Sequence, residues 1–137
     1  MPISAHNAQA IIEHAEAKAR EMGLPAIIAI LDDGGHLKAF LRMDGAVLGS
    51  VDIAIRKART AVLFQCNSED VWHYLKPGAP APHLELSNDG LAPYAGGMAL
   101  KCPNGGLAGA LGVSGGTIEQ DSQIAWAGFA AFEATLR

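Results

Sequence analysis

The sequence predicts an α+β domain in which antiparallel strands form hairpin pairs, with helices between and around them. Two pairs of apolar runs flank glycine-containing turns, one at 32–35 and the other at 103–106. Three long segments carry apolar residues at helical spacing. The chain has 137 residues, of which 50% are hydrophobic, so one domain can bury its own core. We therefore predict a single domain over residues 1–137.

The amino-terminal part predicts a helix followed by a hairpin. Ser4 is placed to cap the first helix, which we expect to end at Gly23. Ala26–Leu31 is a continuous apolar run typical of a buried strand. After the turn, His36–Arg42 alternates between apolar and polar residues, so one face of this second strand is solvated or lines a cleft.

The middle of the chain predicts the longest helix and the longest loop. The helix covers Ala46–Phe64, and Lys57 lies beside its apolar stripe. Its ammonium either extends outward to solvent or reaches a site at the helix end. A short helix at Glu69–Leu75 is followed by the loop Pro77–Pro93, which contains four prolines. A loop of this length is typical of a lid over a site or an arm that holds a neighbouring subunit.

The carboxy-terminal part predicts a second hairpin and a closing helix. Tyr94–Lys101 bends into a strand, and Gly105–Asp121 forms the turn, the next strand, a bend and the start of the helix. This second strand is built of small residues, which predicts close approach of backbone, helix or ligand. The bend at 114–117 suits an anion or polar ligand at a helix N-terminus. Alternatively, Thr117 simply caps the helix and Gln120 completes a capping box.

Composition excludes several classes of function. The net charge of −4 argues against a nucleic-acid partner, and no apolar run approaches the length of a membrane span. Cys66 and Cys102 stand alone, without the close spacing of a metal site, and we predict none. No signal peptide is visible. These features predict a cytoplasmic protein, although a protein whose leader had been removed would look the same.

An ordered set of segments resembles the GlcG/HbpS-type haem-binding family and is similar to the carboxy-terminal domain of PduO-type corrinoid adenosyltransferases. The matching segments are Leu31–Gly35, Arg42–Ala46, Lys57–Ala61, Gly96-Gly97, Gly109–Gly116 and Gln120-Asp121. The resemblance implies a profilin-like fold, with a five-stranded antiparallel sheet and helices on both faces. It also implies a homo-oligomer built from dimers. The sequence departs from the family at Tyr94–Ala99, where Phe-Pro-Gly-Gly-x-Pro is usual, and in the Pro77–Pro93 loop.

The first functional hypothesis is a small-molecule binder that holds haem or a related tetrapyrrole. Haem needs an apolar slot, an axial ligand and cations for its propionates, and Arg42 or Lys57 could supply the cation. Some haem-binding members of the family carry a histidine on the first helix, which favours His14, although most helix histidines have no such role. The candidate axial ligands are His14, His36, His73, His83, Met98 and Tyr94.

The second hypothesis is an enzyme that acts on a small organic acid or aromatic metabolite. Arg42 and Lys57 would bind a carboxylate, and Asp121 or a histidine would transfer protons. The backbone donors of an oxyanion-type site would come from Gly96, Gly97, Ser114 and Gly115. No motif pairs a nucleophile with a base. The third hypothesis is an accessory oligomer without a ligand of its own.

Overall fold

The computed structural model describes residues 1–137, which form an antiparallel sheet and the helices that pack on it. Four helices and four strands follow in the order predicted, with an additional 3₁₀ turn at Ser68–Val71 and another at Leu84–Leu86. The helices and strands are α1 (Ala5–Glu21), β1 (Ile27–Asp32), β2 (Leu37–Arg42), α2 (Gly49–Phe64), α3 (Trp72–Leu75), β3 (Gly97–Lys101), β4 (Leu107–Ser114) and α4 (Ile118–Thr135). None of the helices is both long and apolar enough to cross a bilayer.

The sheet is antiparallel and has four strands in the order β2-β1-β4-β3. Alternate residues of β1 face opposite sides of it. Ile28 and Ile30 pack in the main core with residues of α1 and α4. Ile27 and Ala29 instead pack against Ala54 of α2. Helices therefore cover both faces of the sheet, as the resemblance implied.

The expectation of five strands is wrong. The edge of β3 shows why no further strand is added there. The Gly97 N–H donates to Ser68 Oγ at 2.9 Å, and the Ala99 N–H donates to Asn67 Oδ1 at 3.3 Å. Side chains of the turn after α2 thus satisfy donors that a neighbouring strand would otherwise pair with. Only the four strands that hydrophobic patterning predicts are present.

Strand β4 contains small residues where α2 lies directly on it. A Cβ at Gly112 would overlap the carbonyl oxygen of Ala54, and one at Gly109 would overlap the carbonyl oxygen of Leu31. Any side chain at Gly112 would therefore push α2 away from the sheet. The prediction of close backbone approach at this strand is confirmed. The approaching element is helix α2 at Gly112 and the neighbouring strand β1 at Gly109.

The proline-rich loop folds back onto its own chain. The Ala81 N–H donates to the Tyr74 carbonyl at 2.8 Å, and the Ala92 N–H donates to Thr60 Oγ1 at 3.0 Å. The Arg56 guanidinium, held by Asp52 at 2.7 Å, also donates to the carbonyl oxygen of Gly90 at 2.9 Å. These bonds tie both ends of the loop to α2 and α3.

Candidate functional site

A buried ion pair lies where α2, β4 and α4 meet. Lys57 Nζ donates to Asp121 Oδ2 and to the Val113 carbonyl, each at 2.9 Å. Both side chains are only 2% exposed. Lys57 therefore does not extend to solvent; its ammonium ends at a carboxylate at the start of α4. The pair joins three elements at the point where the chain leaves the sheet.

Two glycines at the start of β3, Gly96 and Gly97, close one side of this pair. Gly96 has φ +123°, and a Cβ there would lie 2.9 Å from Lys57 Nζ. A Cβ at Gly97 would overlap the backbone carbonyl of Lys57. Glycine is needed at both positions because the lysine fills the space that a side chain would take. Gly96 and Gly97 thus lie next to Lys57, as the hypothesis of a shared site requires. The atoms that pack against them belong to the protein itself.

The bend after β4 closes the other side. The Gly116 N–H donates to Asp121 Oδ1, and the Thr117 N–H donates to Gln120 Oε1, each at 2.9 Å. Thr117 Oγ1 in turn accepts from the Gln120 N–H, which completes a capping box. The Gly116 and Thr117 N–H groups, which an external anion could have used, are therefore bonded within the chain. The structure thus shows the helix cap that one of the two interpretations of this bend predicted.

The electrostatics of the pair follow from its burial. Loss of solvent raises the pKa of the Asp121 carboxyl, and the Lys57 ammonium and the Gly116 N–H oppose that rise. Burial also raises the pKa of the Glu69 carboxyl; the Asp70 carboxylate adds to this rise, and the Lys57 charge opposes it. The arrangement resists the entry of a substrate carboxylate, because that group would have to displace Asp121 from a closed space.

The remaining predicted site residues lie elsewhere. Arg42 ends β2, is exposed, and forms no ion pair or side-chain hydrogen bond. Its partner across the sheet is Ile27, so the guanidinium starts from the face that α2 covers. His14 lies on α1, which packs on the opposite face. The structure therefore brings together Lys57, Asp121, Gly96 and Gly97. Ser114 and Gly115 follow Val113 in the chain, but a Cβ at Gly115 would face Pro25 and Ala26. Arg42 and His14 start from opposite faces of the sheet.

His14 has the geometry of a free metal ligand. The ring is exposed, and Nδ1 lies 2.9 Å from the carbonyl oxygen of Ala10 one turn earlier. A carbonyl can only accept, so in the neutral ring the proton is assigned to Nδ1 and the lone pair to Nε2. Metal-ligating histidines are commonly oriented by this kind of bond.

The other candidate axial ligands differ in access. His36, His73 and His83 are exposed, Tyr94 is half-exposed, and Met98 is buried in the core. His83 adopts a left-handed backbone conformation with φ +67° in the proline-rich loop. None of these side chains is held by a backbone carbonyl as His14 is.

Sequence patterning missed a cavity of about 440 Å³ between α3 and the proline-rich loop. Trp72 and Tyr94 line it together with Lys76, His83 and Glu85. The length of the loop and the position of His83 indicated this region. Nothing in the spacing of Trp72 and Glu85 could have shown that they share a cavity, because the turns that bring them together have no periodicity.

The comparisons with known proteins place this geometry in a family. The model of the family described as haem degrading protein HbpS-like matches residues 3–130. A Citrobacter freundii protein, described as an uncharacterized 15.0 kDa protein in the dhaT-dhaS intergenic region, is 36% identical over 118 residues. That match covers 86% of this chain and 83% of the relative.

Two further matches concern corrinoid adenosyltransferase PduO. The Citrobacter freundii enzyme is 35% identical over 132 residues, which is 96% of this chain but only 39% of the enzyme. The crystal structure of a PduOC:heme complex superposes with a TM-score of 0.90 and 33% identity, covering 96% of this chain and 95% of that one. With most of its length matched in both sequence and fold, the chain belongs to the HbpS-like family.

Proposed function

We propose that this chain binds haem. The observation that carries the proposal is the close match, over nearly the whole chain, to a structure solved as a haem complex. The family description points to the same ligand class. The adenosyltransferase activity of PduO is not part of the proposal, because the chain spans about two fifths of that enzyme.

The chain's own residues fit haem through His14. Its Nε2 lone pair is free, its ring orientation is fixed by the Ala10 carbonyl, and the side chain is exposed on α1. These are the properties of an axial ligand. Bound haem would supply an iron centre whose ligation and reactivity the surrounding residues tune. The residue that we assign to hold it is His14.

Arg42 is the proposed partner for the propionates. Its guanidinium is exposed and has no carboxylate partner, and such a group can bind a carboxylate with two parallel hydrogen bonds. His14 and Arg42 start from opposite faces of the sheet, which favours an arrangement in which they reach one haem from different subunits. The proposal therefore includes a homo-oligomer built from dimers, in which the two groups come from different subunits.

The competing enzyme hypothesis assigned Lys57 and Arg42 to a substrate carboxylate. Lys57 is enclosed with Asp121, and Gly96 and Gly97 pack against it. We therefore do not include Lys57 among the groups that contact a ligand. Binding of haem at exposed residues needs no rearrangement of this interior.

The test is a titration with haemin followed by the Soret absorbance. Wild-type protein is expected to give a saturable, shifted Soret band. His14→Ala is expected to weaken haemin binding by about tenfold or more, because loss of even a group that orients a metal ligand commonly costs that much affinity. His6→Ala is the matched control, because His6 lies on the same helix and is also exposed. An unchanged Soret band in His14→Ala would remove His14, and absence of any saturable band in wild type would overturn the proposal.

A further inference from the structure

A second cavity, of about 280 Å³, lies between the end of α2, the turn that follows it, α3 and the proline-rich loop. Asp70 is the only charged residue that lines it. The rest of the lining is apolar and consists of Phe64, Cys66, Tyr74, Ala81 and Leu84. The volume is just below the usual range of ligand pockets, which suits a ligand with a single ring. This cavity is separate from the Lys57–Asp121 pair and includes neither His14 nor Arg42.

The walls of this cavity are fixed by contacts within the chain. Cys66 and Leu84 pack against a small buried apolar cluster beneath α3. The Ala81 N–H donates to the Tyr74 carbonyl at 2.8 Å, which holds the loop against α3. Two aromatic side chains keep open surface, since Phe64 is 37% exposed and Tyr74 is 56% exposed. The cavity is therefore formed before a ligand arrives, and its accessible lining is largely aromatic.

The Asp70 carboxylate is positioned through one oxygen and leaves the other free. Its Oδ2 accepts from the Asn67 N–H at 3.1 Å, as part of the capping box of the turn after α2. Its Oδ1 has no hydrogen-bond partner in the chain, and the carboxylate forms no ion pair. Asp70 is exposed, so its carboxylate is open to a ligand in the cavity.

The charges around this cavity favour a cation. Burial raises the pKa of the Cys66 thiol, the Asp70 carboxylate raises it further, and the Lys101 ammonium lowers it to a smaller extent. Glu69 adds a second carboxylate in the same turn. Lys101 is the opposing charge; it is exposed and borders a separate groove on the other side of Cys66. The effect of Asp70 on the wall of the cavity thus outweighs that of the lysine, and such a potential attracts positive ligands.

We propose that this cavity binds a small organic cation that carries a single apolar ring. The positive nitrogen donates to Asp70 Oδ1, which supplies both an opposite charge and a free acceptor. The ring packs among the apolar side chains beside Phe64 and Tyr74, whose π systems also attract a cation. A neutral or anionic molecule of the same shape lacks the charge that Asp70 complements.

The experiment uses benzylamine, in its ammonium form, as the probe, with benzyl alcohol and benzoate as its neutral and anionic analogues. Titrations of isotope-labelled protein are followed by the amide chemical shifts of Cys66, Asp70 and Leu84. The amine is expected to shift these amides saturably and to bind about fivefold to tenfold more tightly than the alcohol, with benzoate the weakest. The absence of a saturable shift, or equal binding of the amine and the alcohol, would overturn the proposal.

A charge variant tests the role of the carboxylate. Asp70→Asn keeps an oxygen that can accept from the Asn67 N–H, and it removes the charge. The preference for the amine over the alcohol should therefore fall to about twofold or less. Asp33→Asn, at an exposed aspartate of the turn before β2, is the control and should keep the preference. An unchanged preference in Asp70→Asn, with circular dichroism showing an intact fold, would contradict the assignment.

A pair of phenylalanine variants tests the location. Phe64→Leu should weaken amine binding by about threefold, because one aromatic wall is lost. Phe129→Leu is the matched control, since Phe129 lines the separate groove beside Lys101 and not this cavity, and it should leave the affinity unchanged. A loss of affinity in Phe129→Leu with none in Phe64→Leu would place the amine in that groove and contradict the proposal.

Discussion

The interior around Lys57 and the outer surface around His14 use polar groups in opposite ways. In the interior, the ammonium, the carboxylate and the bend amides satisfy one another. On the outside, the exposed His14 ring uses only Nδ1 within the chain and keeps Nε2 unpaired. A polar group that is fully paired within the chain stabilises the fold, whereas one left unpaired can bind something else. The residues with the most recognisable motifs belong to the first class.

The largest expected effect comes from breaking the interior pair. Lys57→Met leaves Asp121 as a buried carboxylate without its cation, which should lower the free energy of unfolding by about 3–5 kcal/mol. Urea unfolding followed by circular dichroism measures this. Lys38→Met on the exposed strand β2 is the control and should change little.

A second substitution should recover much of that loss. In Lys57→Met/Asp121→Asn no charge is buried, and the Asn side-chain oxygen can still accept from the Gly116 N–H. A double variant that is no more stable than Lys57→Met would show that the lysine acts through packing and not through the pair.

The pH dependence of Lys57→Met should differ from that of wild type. The pKa of Asp121 is raised by burial in the folded protein. Its contribution to the free energy of unfolding is therefore most favourable below the pKa of the unfolded state and declines as pH rises through the pKa of the folded state. Without Lys57 the pKa of Asp121 in the folded protein rises further, because the cation that lowers it is gone. The decline in the free energy of unfolding then extends to higher pH. The stability difference between the two proteins should therefore widen as the pH rises above the folded-state pKa of Asp121 in the wild type. A difference that is constant with pH would contradict a role for the ion pair.

The next effect concerns the contact between α2 and the sheet. Gly112→Ala places a methyl group against the Ala54 carbonyl, and overpacking of this kind costs about 1–3 kcal/mol. Gly49→Ala, at the start of α2 with no atom near its Cβ position, is the control and should be neutral or slightly stabilising. Equal melting temperatures for the two variants would contradict the close packing.

The smallest effect is expected at the bend itself. Thr117→Ala removes the cap of α4, which should cost about 1 kcal/mol, whereas Thr117→Ser retains the hydroxyl and should retain most of the stability. Haemin affinity should be unchanged in both variants, because the Gly116 and Thr117 N–H groups of this bend are already bonded within the chain. A loss of haemin affinity in Thr117→Ala with an unchanged melting temperature would revive the anion-site interpretation.

Hydrophobic patterning predicted the order of the elements because each has a clear period and clear stops. Ser4 caps α1 as expected, accepting from the Asn7 N–H at 3.1 Å. The helix predicted from Ala46 begins instead at Gly49, since Met43–Ala46 forms a turn closed by a backbone hydrogen bond. Local signals fix such elements to within a few residues.

The partner of Lys57 could not be predicted in the same way. Asp121 is 64 residues further along the chain, and no local pattern reports a contact made by tertiary folding. The resemblance, not the residues, supplied the fifth strand, and Asn67 and Ser68 occupy the edge of β3 in this chain. Side chains that replace a strand's hydrogen bonds leave no hydrophobic pattern.

The division between a closed interior and a ligand-binding exterior is tested most directly by one set of haemin titrations. It compares wild type, His14→Ala and the double variant Lys57→Met/Asp121→Asn, each confirmed as folded by circular dichroism. We expect the double variant to keep wild-type affinity within about threefold, while His14→Ala loses about tenfold or more. The reverse pattern, with haemin lost in the double variant and retained in His14→Ala, would contradict this division.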